Sequence, residues 1–600
     1  MQQMTHLTAW KRDAACAPRT SRFVGFGSFR SEWLLLPALL FLVAFYAYPV
    51  AKLLWTSIDG AALSPRHYLR FFQDSAYTYV LVRTLIVSVV VTFFCLVLGL
   101  PVAFLLARIE GRLRTVLLLL VLVPYLTSFL VRSYAWIVVL DDNGIVNSLL
   151  VGLGVTSKPI KLVYNWIGVY IGMIQIMLPF MILPLYNNIL AIDWRIDRAA
   201  KSMGAGPFRR FVLVFLPLCA SGIRSGCLLV FLLSLGFYIT PAVLGGLSDV
   251  TLAMLIETQV TQLVNWGFAG AAAMILLIAT FGTYLLLGRG VRLDAMFSGT
   301  SDRGANHFNQ LTSSGSGEKP VHTRVLYSAV GMFDRTPLAG AMKPTAYAVA
   351  TFVLLALFLP SALVTIMAFN SGDVLRFPPP GYSFRWFQNY LQTESWIDAT
   401  LLSLRLAALT ALFGTLLGML AAFGVSRARG MVRAFTLSIM LSPLIVPPIV
   451  LGVALYQPLA QIGLIGTETA VVIGHLIGAL PYVLIIVSAG LQSVDPSLQR
   501  AASSMGASAF RTFWKVTLPL IRPSIFVSAL FAFIHSFDDL VITIMVGGIR
   551  VETLPLKMWS DIRNSIDPTI AAVSAILIGL VILWVALLAL FGVGGLKRAD

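Results

Sequence analysis

Two adjacent carboxylates, Asp538 and Asp539, close a long apolar run in the segment SFDDLVITIMVGG. A carboxylate within a membrane span is costly, so it usually faces a cavity or a partner. Carboxylates and aromatic faces together suit an organic cation, through charge and cation–π contact. Tyr238, Glu257 and Trp266 are of the same kind and lie in and after the segment SLGFYITPAVLGG. These five residues are candidates to line a solute path. The aspartates could instead cap a helix break, or pair with Arg224 or His535. Other chemistry is missing. Cys16, Cys95, Cys219 and Cys227 form no CxxC pair, and the six histidines form no HExxH motif. The spacing therefore offers neither a metal centre nor a redox pair. No GxxxxGK[ST] phosphate loop occurs, and GSGEKP has no Lys-Ser/Thr pair after its glycines. ATP is therefore expected on another polypeptide, and no cofactor in this one.

The elements that must position these residues are membrane helices. The chain has 600 residues, 58% hydrophobic and 12% charged, with mean hydropathy +0.87. Soluble domains carry roughly twice that share of charge. The net charge of +17 fits the excess of Lys and Arg in cytoplasmic loops, so nucleic-acid binding is not expected. Runs of the length a bilayer requires are read near 33–55, 79–106, 115–139, 163–190, 211–237 and 267–287. A second set follows near 346–368, 397–425, 435–459, 470–491, 516–541 and 570–591. Basic residues before the first span, after both second spans, in the fourth-to-fifth loop and at the C-terminus all fall on one side if both termini are cytoplasmic. The run at 33–55 is too long for a signal peptide and is read as a retained helix. Six spans per half is an even number, so the two halves insert in the same direction as parallel repeats. Prolines at 124, 443, 447 and 448 are expected to kink the third spans.

The repeat is visible in the residues themselves. RAAKSMGAGPFRRFVLVFLPL begins at Arg198 and RAASSMGASAFRTFWKVTLPL begins at Arg500, 302 residues later. Without gaps, 14 of the 21 positions match. Leu98-Gly99-Leu100 and Leu417-Gly418-Met419 repeat as well, and Pro124 answers Pro443. Each phrase predicts a short polar helix lying on the membrane surface. Asp193 or Asp495 should cap its start, and Gly204 or Gly506 should end it in the left-handed conformation. A helix resting on lipid headgroups usually carries several large apolar residues on one face. Here Ala199, Ala200 and Ser202, or Ala501, Ala502 and Ser504, make a strip of small residues that favours a protein partner.

The spacing Ala-Ala, three residues, Gly, nine residues, a branched apolar residue, one residue, Leu-Pro resembles the EAA loop of permease subunits of binding-protein-dependent ABC importers. Ala199-Ala200, Gly204, Val214 and Leu216-Pro217 fit it, and Ala501-Ala502, Gly506, Val516 and Leu518-Pro519 fit it again. Arg198 and Arg500 stand where that family usually has Glu. The resemblance implies an all-α polytopic membrane protein of about twelve transmembrane helices, as two parallel six-helix permease repeats. It implies a coupling helix in each loop, made by Arg198, Ala199, Ala200, Ser202 and Gly204, and by Arg500, Ala501, Ala502, Ser504 and Gly506. It further implies two copies of a cytoplasmic ATPase subunit, an extracytoplasmic solute-binding protein and a bacterial inner membrane. The segments around Tyr238 and Asp538 look like the first and second permease subunits of spermidine/putrescine-type importers. Polyamine uptake is thus the leading expectation. Opines, aminophosphonates and amino-acid-like solutes are alternatives, and Glu257 and Trp266 could equally touch the binding protein. The expected organisation is a tail over 1–32, a first transmembrane domain over 33–291, a cytoplasmic linker over 292–343 and a second domain over 344–600. A secondary transporter with parallel six-helix repeats is the rival class, and the duplicated loop argues against it.

Overall fold

The structure is a computed structural model describing residues 31–59, 62–288, 337–373, 377–564 and 567–592. Most of the tail and of the linker lies outside the described residues. The linker's last residues do not: the helix expected to start near 346 already begins at Pro337.

The described residues are helical, with one isolated bridge between Asn370 and Tyr382 and no sheet. The first half runs α1 (Glu32–Ser57), α2 (Arg66–Gln73), α3 (Ser75–Arg108), α4 (Gly111–Leu126), α5 (Phe129–Leu140), α6 (Trp166–Leu190), α7 (Arg195–Ser202), α8 (Pro207–Leu218), α9 (Ala220–Leu235), α10 (Ile239–Leu244), α11 (Leu252–Thr261) and α12 (Trp266–Leu287). The second half runs α13 (Pro337–Met367), α14 (Arg385–Gln392), α15 (Glu394–Arg427), α16 (Gly430–Leu444), α17 (Pro448–Gln461), α18 (Glu468–Gln492), α19 (Pro496–Ser504), α20 (Ala509–Asp538), α21 (Val541–Val546), α22 (Leu554–Asn564) and α23 (Thr569–Gly592). Nine described helices are long and apolar enough to cross a membrane, or eleven if each of two sharply bent pairs is one span.

Polar residues set where the long helices start. Asp74 accepts the Ala76 N–H at 2.9 Å to begin α3, and Asn165 accepts that of Ile167 at 2.8 Å to begin α6. Prolines shape their interiors. Pro49, Pro217 and Pro519 each follow a five-residue π segment, at Val43–Ala47, Phe211–Phe215 and Phe513–Thr517. A proline lacks the N–H for its turn, and its ring collides with the carbonyl four residues back. Widening the preceding turn relieves the collision without breaking the helix.

The third spans are broken where kinks were expected. In the second half α16 and α17 meet at 102° across Ile445–Pro447. In the first half α4 stops at Leu126, and Ser128 starts α5 by accepting the Leu130 N–H at 3.2 Å. The long apolar crossing here is Phe129–Gly152, so the expected span over 115–139 is displaced along the chain. Its apolar run continues through a break that hydropathy does not register.

Two trios of helices carry the densest packing: α3, α6 and α9, then α15, α18 and α20. Gly99 and Gly418 allow the close approach within these trios, against Met181 and Val483 respectively. The halves interlock. Helix α1 packs on α15 and α17 of the other half, where Leu35 lies against Gly424 and Thr56 donates to Gln457 at 3.1 Å. Reciprocally, α13 packs on α3, α4 and α5, and Gln175 donates to the Leu357 carbonyl at 3.0 Å. The two halves are interlocked through their first helices, each of which also packs on its own half.

Candidate functional site

The repeated phrase folds the same way twice. Asp193 accepts the Arg195 N–H at 2.9 Å and Asp495 accepts the Ser497 N–H at 2.8 Å. The Ser497 backbone and hydroxyl bonds hold the Asp495 carboxyl below the usual carboxylate range. At the other end Gly204 and Gly506 have φ of +81° and +78°. The Gly204 N–H meets the Lys201 carbonyl and the Ala205 N–H meets that of Ala200, at 3.0 and 3.1 Å. Gly506 and Ala507 make the same two bonds to Ser503 and Ala502, each at 3.0 Å. This is a Schellman termination in both copies.

Burial divides the candidate residues. Ala200 and Ala502 are buried, so they seat their helices on the body of the protein. Arg198, Ala199, Ser202 and Gly204 are exposed, as are Arg500, Ala501, Ser504 and Gly506. Met203 and Met505 join that outward face, each 81% exposed. The sequence reading passed over both methionines, although their identity in the two copies was the available signal. The inward attachments differ. Asp197 pairs with Arg210 at 2.9 Å, whereas Gln499 donates to the Thr517 hydroxyl at 3.2 Å.

A second group gathers on the seam between the halves. Tyr238 is buried, its ring 5.6 Å from that of Trp559 in α22. Trp266 stacks on Tyr456 of α17 at 4.3 Å. Asp538 ends α20 and reaches the first turn of α5, where its Oδ2 accepts the Phe129 N–H at 3.4 Å. A carboxylate is favoured at that N-terminal end by the helix dipole. The remaining two candidates bond inside their own halves. Glu257 is buried in α11 and accepts the Thr261 hydroxyl at 3.0 Å. Asp539 accepts the Ile542 N–H at 2.8 Å, which starts α21, and faces His475 at 3.5 Å. Neither aspartate pairs with Arg224, whose Nε donates to the Ala220 carbonyl at 3.2 Å.

Arg132 was overlooked, and the structure buries it completely in α5. Its Nη1 donates to the Ile176 carbonyl at 3.3 Å and its guanidinium lies 5.0 Å from the Phe129 ring. Asp538 of the other half meets the same turn of α5 through the Phe129 N–H. A lone arginine within an apolar run was the signal that could have found it.

The pseudo-equivalent junction is uncharged. Gly236 lies 302 residues before Asp538, and Pro447 follows Pro443 by the same four residues that separate Ser128 from Pro124. Gly236 packs so tightly on Pro447 that an added Cβ would lie 2.4 Å from the proline Cβ. Replacing Gly236 with alanine is expected to destabilise the protein by about 1–3 kcal/mol through overpacking. Heat-induced aggregation in detergent should shift down, and Pro447→Gly should restore part of the loss. A Gly236→Ala protein as heat-stable as the parent would refute the tight junction.

Comparison with known proteins follows the same division. The sequence model of the family described as binding-protein-dependent transport system inner membrane component matches residues 96–289 and again 414–594. The chain belongs to this family. The permease is 34% identical to the spermidine/putrescine transport system permease protein PotB of Haemophilus influenzae over 257 residues, 42% of this chain and 85% of that protein. It is 33% identical to the putrescine transport system permease protein PotI of Escherichia coli over 236 residues, 38% of this chain and 82% of that one. A chain of a bacterial ABC transporter involved in import of the acidic polysaccharide alginate aligns with TM-score 0.36 and 16% identity, over 44% of this permease and 97% of that chain. The permease is a fusion of two such domains, resembling PotB- and PotI-type subunits joined in one polypeptide. It is a membrane transport component. Among the described residues, no three His, Cys, Asp or Glu are grouped to hold a metal.

Proposed function

We propose that this permease is the transmembrane component of an ATP-driven importer that moves a small amine-bearing solute across a bacterial inner membrane. Putrescine and spermidine are the leading solutes, because the relatives named above are polyamine permeases. The single observation that carries the mechanism is the duplicated surface helix. Its cap, its glycine termination and its exposed Arg-Ala-x-x-Ser-Met-Gly face recur in register in both halves. One chain thereby offers two like sockets to a pair of ATPase subunits. Twelve spans as two parallel sets of six put both helices on one side, taken as cytoplasmic together with both termini. The proposed units are a tail (1–32), two transmembrane domains (33–291 and 344–600) and a cytoplasmic linker (292–343). A solute-loaded binding protein docks outside, ATP closes the ATPase pair, and the interlocked halves rock between two openings. Tyr238, Glu257, Trp266, Asp538 and Asp539 are proposed to line or support the solute path.

The test is reconstitution in proteoliposomes with the cognate ATPase and binding protein. Putrescine uptake should require ATP and survive an uncoupler. Uptake abolished by the uncoupler with ATP intact would instead identify an ion-driven carrier.

A further inference from the structure

The two pseudo-equivalent junctions at the seam differ in one respect: only one carries charge. Gly236 meets the start of α17 by contact alone, whereas Asp538 meets the start of α5 with a carboxylate. Arg132 belongs to the first turn of α5, and its position beside the Phe129 ring shows that it runs back toward the start of that helix. It is fully buried, yet its Nε and Nη2 have no hydrogen-bond partner. The enclosed Oδ1 of Asp538 has none either. A buried charge left incompletely paired is expensive to maintain. Asp538 and Arg132, opposite in charge, therefore meet at one turn of α5 without either being fully satisfied.

We propose that Arg132 is a specificity-determining residue: with the start of α5 it holds Asp538 when no solute is present, and a solute must bring its own cation to displace it. The inference rests on the reading that Asp538 faces the solute path. Arg132 and the α5 N–H groups supply positive potential to one carboxylate on the opposite half. An entering ammonium group offers Asp538 a replacement, so the halves can part without stranding a bare carboxylate. A neutral or anionic solute offers none. Selection for a cation and separation of the halves thereby become one event. The uncharged Gly236 junction has no such requirement.

The experiment uses the full permease with its ATPase in proteoliposomes. Solute-free ATP hydrolysis is measured first, then putrescine uptake with the binding protein present. Arg132→Gln should raise solute-free hydrolysis about fivefold or more, the size of a typical coupling between sites, and should retain putrescine uptake. Arg132→Lys should restore low solute-free hydrolysis. Asp538→Asn should raise solute-free hydrolysis in the same way but lose most of the uptake, and the double variant should hydrolyse no faster than either single one. Solute-free hydrolysis of Arg132→Gln at the parent level would overturn the proposal. So would loss of uptake in Arg132→Gln to the extent seen for Asp538→Asn, because Arg132 would then be needed for the path itself. The hydrolysis measurement does not depend on the identity of the solute. A parent protein that neither binds nor drives the ATPase would refute the importer reading instead.

Discussion

Replacing both Gly204 and Gly506 with valine should leave the permease in the membrane but strip it of its ATPase subunits. Both glycines hold φ near +80°, and an added Cβ would meet nothing within 4 Å. The penalty therefore comes from the backbone and not from lost packing. A β-branched residue in that conformation is strained by about 1–3 kcal/mol. The helix end can relieve the strain only by giving up the two Schellman bonds that shape it. Because Met203 and Met505 immediately precede these glycines, the exposed face is distorted with them. Each single substitution should leave one ATPase subunit per permease, read by light scattering of the purified complex. The double substitution should leave almost none, and ATP-dependent uptake should fall about a hundredfold, as 1.4 kcal/mol at each of two sites implies. Asparagine tolerates the left-handed region, so Gly204→Asn with Gly506→Asn should retain much of the activity. Full ATPase stoichiometry and uptake in the double valine protein would sink the docking assignment.

Those glycines were legible because the signals that specify them are local. A cap, a left-handed glycine and a proline act within a few residues, so the repeat could be read phrase by phrase. The structure returns the same hydrogen bonds at the same places in both copies. The π segments before Pro217 and Pro519 are a further product of the same repeated Leu-Pro pair, although their widened turns were not anticipated. The break between α4 and α5 was less accessible. Leu126 and Phe129 continue the apolar run, and only Ser128 marks the restart. Hydropathy reports whether a segment can lie in lipid, not whether it is straight. The packing of α1 and α13 on the opposite half has no local signature, since lipid-facing and protein-facing apolar residues look alike. The partners of the candidate carboxylates were hidden for the same reason. Asp538 finds Phe129, 409 residues earlier in the chain, a separation no spacing rule reaches. Asp539, its immediate neighbour, turns to His475 within its own half.

That second aspartate makes His475→Leu the substitution expected to weaken the folded protein most. His475 is fully buried in α18 and connects three elements. Its Nδ1 lies 2.7 Å from the Ser536 hydroxyl in α20, while Nε2 lies 3.3 Å from Thr543 in α21 and 3.5 Å from the Asp539 carboxylate. Leucine of similar bulk fills the space but supplies no polar atom. Ser536 would keep its bond to Thr410 at 3.1 Å, so it is not stranded. Asp539, only 9% exposed, would keep the Ile542 N–H but lose its side-chain partner. Leaving the buried Asp539 carboxylate without that partner costs about 1–3 kcal/mol, and more for a charged group. The expected result is a large fall in the temperature of heat-induced aggregation in detergent. Asparagine at position 539 keeps an acceptor for the Ile542 N–H while removing the charge. His475→Leu with Asp539→Asn should therefore recover a substantial part of the loss, a coupling that independent sites would not show. A proton-relay role for His475 predicts a different pattern: unchanged heat stability with uptake abolished. That pattern would move His475 from the scaffold holding α21 to the transport path itself.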